Sequence, residues 1–468
     1  MKTKLMNRML YALVISAMLA SMLVGCAVPT ATEPPAQDTT SSPTQGPEEA
    51  EPTEASPAQK PPETVIYGMA QSKLGRVVAP DVSADDEGEL VSGNNAFAWD
   101  FYQAVRDQEG NLFFSPYSIS LALAMTYAGA EGETEAQMAD TLHFNIPFNR
   151  LHAAFNALDQ QLASRGQVPE GQEGQPFQLS IANSIWAQYD YDFTDSYLDL
   201  LAENYGAGLN LVDFVTATEA ARLAINDWVS EQTKGKIEDL IPAGAIDVMT
   251  RLVLANAIYF KADWQFPFEP EATREGDFYR LDGSQVQVEM MNMSHPPQLP
   301  YTQGNGYQAV AMPYLGGDLS MVVVVPDAGK YEEFESGLSA EVIDAILASM
   351  EGKSVQLVMP KFNFSSEFSL AQTLAGMGMA DAFDPTLADF SGMIGRPELY
   401  IQNVLHKAFV AVDEKGTEAA AATAVIVGIT SMPMIDVELT VDRPFVFLIQ
   451  DNASSTVLFI GRVVDPSS

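Results

Sequence analysis

The stretch from Glu414 to Pro444 constrains this chain more than any other. It follows a strand-like segment, His406 to Asp413, and precedes another, Phe445 to Gln450. The intervening run of about thirty residues has few charges and a block of alanines from Ala419 to Ala422. A connection this long inside a compact domain is either functional or disordered. Disordered segments are poor in β-branched residues, and this one carries Thr423, Val425, Ile426, Val427 and Ile429. Its composition is that of a strand and its position that of a loop.

The rest of the chain sets the frame. Its 468 residues, 47% of them apolar, are enough for a large soluble core. Lys and Arg number 24 against 62 Asp and Glu, a formal charge of −38. A surface this acidic repels a phosphate backbone, so nucleic acid is excluded as a partner. The single cysteine, Cys26, rules out an intramolecular disulfide. Lys2, Lys4 and Arg8 precede an apolar run, Met9 to Val24, in the pattern of a secretory signal. The run ends Leu23-Val24-Gly25-Cys26, which resembles the bacterial lipobox. That resemblance implies a signal peptide over residues 1–25, lipid on Cys26 and an extracytoplasmic, membrane-anchored lipoprotein. An uncleaved membrane anchor is the alternative.

From Ala27 to Glu63 the chain is Pro, Thr, Glu, Ser, Ala and Gln with almost no large apolar residue. Such a segment cannot bury enough surface to offset its ordering entropy. Val65, Ile66, Tyr67 and Met69 suit a short strand, but Asp81 to Glu89 is acidic again. Residues 26–89 are therefore read as a lipid-anchored spacer and 90–468 as one domain. Phe97, Phe101 and Val105 form a helical stripe. Ser115-Pro116 is a helix start, a capping hydroxyl with proline at the first helical position. Helices are also predicted from Thr134, over Phe148 to Arg165 and over Thr194 to Tyr205. Thr216-x-x-Glu219 predicts a capping box opening a helix through Ile225 and Val229, closed by Gly235. Strands are predicted over Gln178 to Trp186, Arg251 to Phe260, Leu319 to Val325 and Val355 to Met359. Four more are Val404 to Val412, Val437 to Val441, Phe445 to Gln450 and Thr456 to Val463. Helices early and strands late make an α+β pattern rather than alternating βαβ units.

The familiar enzymatic motifs are missing. The sequence has no Gly-x-x-x-x-Gly-Lys-Ser/Thr loop, no His-Glu-x-x-His helix and no Gly-x-Ser-x-Gly elbow. Its four histidines, His143, His152, His295 and His406, stand in no ligand spacing.

Several motifs, in order, resemble the serpins. Asn111-Leu-Phe-Phe-Ser-Pro-Tyr-Ser-Ile119 is similar to the family's first buried strand and second helix, and Leu254-Ala-Asn-Ala-Ile-Tyr-Phe-Lys-Ala-Asp-Trp264 to the central strand of its main sheet. Met312-Pro-Tyr314, Leu319-Ser-Met321, Pro360-Lys-Phe362, His406-Lys-Ala408 and Asp442-Arg-Pro-Phe445 match further signatures. The resemblance covers Leu90 to Pro466 and implies an α+β fold of three β-sheets and eight or nine helices with an exposed reactive-centre loop. It implies no enzyme, cofactor or metal, and a monomer. Its partner would be a serine endopeptidase held as a covalent complex, with cysteine peptidases as a further class.

Family members trap proteases. The protease attacks the loop and forms an acyl-enzyme; the cleaved loop then inserts into the main sheet as a new strand, releasing stored strain. Glu414 would open the hinge, and Gly416 has the conformational freedom to turn the chain inward. Thr417, Ala419, Ala421, Thr423 and Val425 would then be buried as alternate residues; all are small or β-branched, and Glu418 falls on the opposite face. No proline occurs from Thr417 to Ser431, as a central strand requires. About fourteen inserted residues at about 3.3 Å each would span about 46 Å, enough to cross a sheet.

By the family's loop length the attacked bond is Thr430-Ser431, to within one residue. No Arg or Lys lies between Gly416 and Arg443, which disfavours trypsin-like enzymes with their acidic pocket. Val427-Gly-Ile-Thr430 suits elastase-like or subtilisin-like proteases. Ser115, Ser118, Asn256 and His406 resemble the polar cluster that governs sheet opening, and Trp264 the tryptophan where insertion begins. The competing reading is a noninhibitory serpin-fold binding module on the cell surface. A solute-binding lipoprotein would need two α/β lobes, which this sequence does not show.

Overall fold

The computed structural model describes residues 65–165, 177–417 and 434–468. Cys26 and the loop positions Ala419, Ala421, Thr423, Thr430 and Ser431 lie outside the described residues.

The main sheet contains β1 (Ile66–Ala70), β3 (Gln178–Gln188), β4 (Leu209–Val212), β5 (Leu252–Asp263), β12 (Phe362–Ser369), β13 (Asn403–Val412) and the two-residue β14 (Gly416–Thr417). Their spatial order is β1-β4-β3-β5-β14-β13-β12. The sheet is mixed: β3 pairs β4 in parallel, β5 pairs β13 in parallel, and the remaining pairings are antiparallel. A second assembly holds β2 (Leu112–Phe114), β6 (Arg274–Tyr279), β7 (Gln285–Asn292), β8 (Gln298–Gly304), β9 (Tyr307–Pro313), β10 (Leu319–Pro326), β11 (Glu351–Pro360), β15 (Val437–Thr440), β16 (Phe445–Asp451) and β17 (Val457–Val463). The expected second and third sheets are joined here, because β11 pairs β8 along its first residues and β7 and β15 further on.

Ten α-helices occur among the described residues: α1 (Ala84–Val105), α2 (Pro116–Tyr127), α3 (Gly132–Thr141), α4 (Phe148–Ala163), α5 (Asp195–Tyr205), α6 (Thr218–Gln232), α7 (Tyr331–Ser336), α8 (Ala340–Ala348), α9 (Ala371–Met377) and α10 (Ser391–Ile394). The excess over the expected eight or nine comes from short pieces such as α7 and α10. Helix α1 starts where Ser83 accepts the Asp86 N–H, with Asp85, Asp86 and Glu87 in its first turn, a favourable placement of negative charge against the helix dipole. Folded structure thus begins upstream of Leu90, which lies inside α1. Further upstream, β1 pairs antiparallel with β4, and Arg76 reaches Asn156 and Asp159 on α4.

Helix α2 forms as its sequence dictates. Ser115 caps it by accepting the Ser118 N–H, Pro116 occupies the first turn, and every residue is buried. It has no polar face because it lies between the two sheets, against β3 and β5 on one side and β17 on the other. The predicted capping box at Thr216 does not form. Helix α6 begins at Thr218 with no side-chain cap; Thr216 instead donates its hydroxyl to Asp213, and Glu219 pairs with Arg222 at 2.7 Å. The Asp213 carboxylate accepts the Val215 and Thr216 N–H groups as well as the Thr216 hydroxyl, which holds Thr216 in a turn ahead of the helix. The four strands β6 to β9 were not among the expected elements.

Candidate functional site: the hinge and the centre of the main sheet

Strands β5 and β13 pair directly from Val253/Asn403 to Tyr259/Phe409. Three residues further along each strand they have parted, and Thr417 lies between Ala262 and Val412, paired antiparallel to both. Thr417 is fully buried. The first residue expected to be buried by insertion is therefore already in the sheet, with the loop intact.

The turn that delivers it is built from local chemistry. Asp413 Oδ1 accepts the N–H groups of Lys415 (2.8 Å) and Gly416 (3.2 Å), an aspartate-stabilised turn. The Asp413 N–H donates to Gly416 O at 3.0 Å. Lys415 O accepts the Trp264 N–H (2.7 Å) and Glu414 O the Phe268 N–H (2.8 Å), so the loop entry is stitched to the chain leaving β5. Gly416 is required for a different reason from the one expected. Its φ is not positive, but a Cβ there would lie 2.0 Å from Ala262 O and 2.8 Å from Asp263 Cα. Close backbone approach, not turning freedom, excludes a side chain.

Glu414 is buried and faces Lys361, with Oε1 2.8 Å from Nζ, while the Thr273 hydroxyl donates to the same oxygen at 2.7 Å. Burial pushes the Glu414 carboxyl up, but the hydrogen bonds from Lys361 and Thr273 outweigh it and hold the group below its ordinary value. Trp264 follows β5, and its indole N–H donates to Asp413 O at 3.0 Å. Its ring stacks on Tyr314, centroids 4.5 Å apart.

The predicted polar cluster lies deeper in the same cleft. Asn183, Asn256 and His406 occupy one row across β3, β5 and β13, directly paired in register. Asn256 donates through Nδ2 to Ser118 O (2.7 Å), to Ser118 Oγ (2.8 Å) and to Asn183 Oδ1. The Ser115 N–H donates to His406 Nε2 at 3.1 Å, so the ring proton is on Nδ1 and is donated to Asn256 Oδ1. Ser115 Oγ donates to Leu458 O on β17. Burial pushes the His406 imidazole from 6.5 down to about 3, which keeps it neutral and able to act as donor and acceptor at once. Asn183 belongs to this cluster and Thr273 to the hinge although sequence reasoning singled out neither; Lys361 and Tyr314 stood in quoted signatures without a role, and the structure places both at the hinge.

Chemically, the arrangement is a gap and a lock. Thr417 wedges the open end of the β5–β13 seam, and the Asn256–His406 bond closes it further down. No residue that enters the seam can pass this row without breaking that bond.

Known proteins share this architecture. The family profile described as Serpin (serine protease inhibitor) matches residues 92–466. The leukocyte elastase inhibitor of Xenopus laevis is 38% identical over 81% of this chain and 99% of its own. A crystal structure of a thermophilic serpin, tengpin, in the native state superposes with a TM-score of 0.74 at 29% identity, covering 85% of this chain and all (100%) of that one. Human thyroxine-binding globulin in complex with its hormone superposes at 0.71 with 30% identity, covering 81% of this chain and 99% of that one. On the family profile over residues 92–466 and the 38% identity to the Xenopus laevis inhibitor, the chain belongs to the serpin family.

Proposed function

We propose that this serpin is an irreversible, suicide-type inhibitor of serine endopeptidases, trapping the acyl-enzyme by inserting its cleaved loop between β5 and β13. The observation that carries the reading is the seat of Thr417 between Ala262 and Val412. Continuing that antiparallel register one residue at a time would set Thr423 level with Asn256 on one side and His406 on the other. Thr417, Ala419, Ala421 and Thr423 would then share the buried face, and a hydroxyl would arrive at the row whose hydrogen bond insertion breaks. None of these side chains is charged or bulky, so a buried strand can form without an unpaired charge.

The Thr430-Ser431 bond and its aliphatic approach, Val427-Gly-Ile, favour elastase-like or subtilisin-like targets. The leukocyte elastase inhibitors among the relatives support the same class. Incubating the soluble domain with a panel of such proteases should give a complex that survives denaturant, and loop cleavage should raise the melting temperature. Cleavage with neither complex nor added stability would instead support a binding module. Lipid on Cys26 and an extracytoplasmic, membrane-anchored location complete the proposal. They are tested by Cys26→Ser, which should move the protein from the membrane to the soluble fraction.

A further inference from the structure

Tyr314 follows β9, in the second sheet assembly, yet its hydroxyl lies 2.7 Å from Thr417 Oγ1. Its ring is held on two sides: parallel to Trp264 at 4.5 Å and edge-on to Phe260 at 5.2 Å. A backbone bridge between Trp264 and Tyr314 fixes the pair further. Tyr314 is 1% exposed. Burial pushes its phenol well above the ordinary value, so the group is neutral at any working pH.

This packing leaves the hydroxyl little choice. The ring cannot swing without unstacking from Trp264, and Thr417 is the hydroxyl's hydrogen-bond partner among the described residues. Withdrawing Thr417 from the seam would leave a buried O–H unmatched, which costs about 1–3 kcal/mol. A valine at position 417 would fill the same space yet leave the same group unmatched. The contact therefore rewards a hydroxyl at the first inserted position, beyond the smallness that burial alone demands.

We propose that Tyr314 is a positioning residue for loop insertion: its hydroxyl captures Thr417 as the first residue of the new strand and fixes the register in which the remainder follows. This rests on the inhibitory reading. After the loop is cut, insertion competes with hydrolysis of the acyl-enzyme. A hinge already seated and in register starts that race ahead, whereas one that must first find its seat loses more inhibitor to simple cleavage.

The test uses the full domain as Tyr314→Phe, Thr417→Val and the double variant, each keeping nearly the same shape. Two quantities are read: moles of inhibitor consumed per elastase-like protease trapped, and amide hydrogen exchange at residues 416–417 in the uncomplexed protein. Each single change should raise the first several-fold and speed the second by on the order of tenfold, the effect of one unmatched buried hydrogen bond. The double variant should lie nearer wild type than either single change, because an apolar pair leaves nothing unmatched. A residue with only a packing role would lower the melting temperature without moving the consumption ratio. Unchanged exchange and ratio in Tyr314→Phe, or additive losses in the double variant, would overturn the assignment. Absence of covalent complex with wild-type protein would overturn the inhibitory reading instead, and the exchange arm would still decide whether Tyr314 holds Thr417.

Discussion

Lys361 Nζ lies 2.8 Å from Glu414 Oε1, and this contact ties the entry of the long loop to the start of β12. Burial alone would pull the Lys361 ammonium down and push the Glu414 carboxyl up; their hydrogen bond and charge attraction, with Glu289 and Thr273 adding to them, outweigh it, leaving Lys361 raised and Glu414 lowered. Lys361 has a second, longer contact with Glu289 at 3.5 Å. Replacing Glu414 by Lys would set two ammonium groups face to face and remove the acceptor of the Thr273 hydroxyl. The loss should be about 2 kcal/mol, as for a hydrogen bond to a charged group. Thermal denaturation should show Glu414→Lys and Lys361→Glu each lowering the midpoint, with the exchanged pair recovering much of it. Strict additivity would mean that the two side chains do not interact.

Gly416 makes a second, steric prediction. A Cβ at 2.0 Å from Ala262 O cannot be relieved by a rotamer change, because the obstructing atoms are backbone. Gly416→Ala should therefore expel Thr417 from the seam rather than strain it in place. Amide exchange at Thr417 should rise to the level of an exposed loop, and Trp264 fluorescence should shift as the Asp413 carbonyl moves off its indole N–H. Retention of slow exchange at Thr417 would contradict the close approach.

Much of this was legible in the sequence, and the failures have particular causes. The period-two run of small residues after Glu414 predicts a segment able to enter a sheet. It could not show that Thr417 already had entered, because its partners Ala262 and Tyr314 lie more than a hundred positions away in sequence. Asn183 was invisible for a similar reason: only its register against Asn256 distinguishes it from an ordinary strand polar. Of the strands from Arg274 to Pro313, β6 buries only Phe278 and offers no apolar alternation to read, whereas β7 does alternate, with Val286, Val288 and Met290 on one face, and could have been found. Gly416 was expected at the hinge for its conformational freedom, whereas its φ is not positive and close approach of β5 is what leaves no room for a side chain. The cap at Ser115 formed as expected, its hydroxyl accepting the Ser118 N–H while donating to Leu458 O.

Acid should weaken the fold through its buried histidines. Burial pushes His152 and His406 from 6.5 to about 3. Between those values the unfolded chain binds a proton at each and the folded chain does not, so stability falls as pH drops from 6.5 and is unaffected by these groups above it. Each contributes a slope of at most about 1.4 kcal/mol per pH unit. Glu414, held below 4.5, adds its own loss only at lower pH. Between pH 6.5 and 5, His152→Phe should roughly halve the histidine-dependent slope of denaturation midpoint against pH. An unaltered slope would mean that His152 is protonated in the folded protein.

The attacked bond can be located by changing specificity. Thr430→Arg would present a guanidinium to the acidic pocket of trypsin-like enzymes, and inhibition of those enzymes should appear while that of elastase-like ones declines. The same change at Ile429 or Ser431 should do less. An unchanged profile for Thr430→Arg would place the bond elsewhere in the loop.

The row of Asn183, Asn256 and His406 should set how readily the seam opens, because it spans β3, β5 and β13 in register. Asn256 Nδ2 is shared between Ser118 and Asn183 Oδ1, and Asn183 Nδ2 returns a bond to Ser118 O at 3.1 Å. Asn183 therefore keeps Asn256 turned so that its oxygen meets the His406 Nδ1 proton. Asn183→Ala would remove an acceptor from the Ser118 hydroxyl and from Asn256, costing about 1–3 kcal/mol and a few degrees in melting temperature. Its kinetic effect should be larger than its thermal one, because Asn256–His406 is the bond that an incoming strand must split. A synthetic peptide with the sequence of residues 417–430 should enter the sheet of Asn183→Ala several-fold faster than that of wild type. A surface control, Glu231→Ala on α6, should leave the rate alone. Equal rates in Asn183→Ala and wild type would show that the seam is opened at the hinge alone, and that this row adds stability without gating entry.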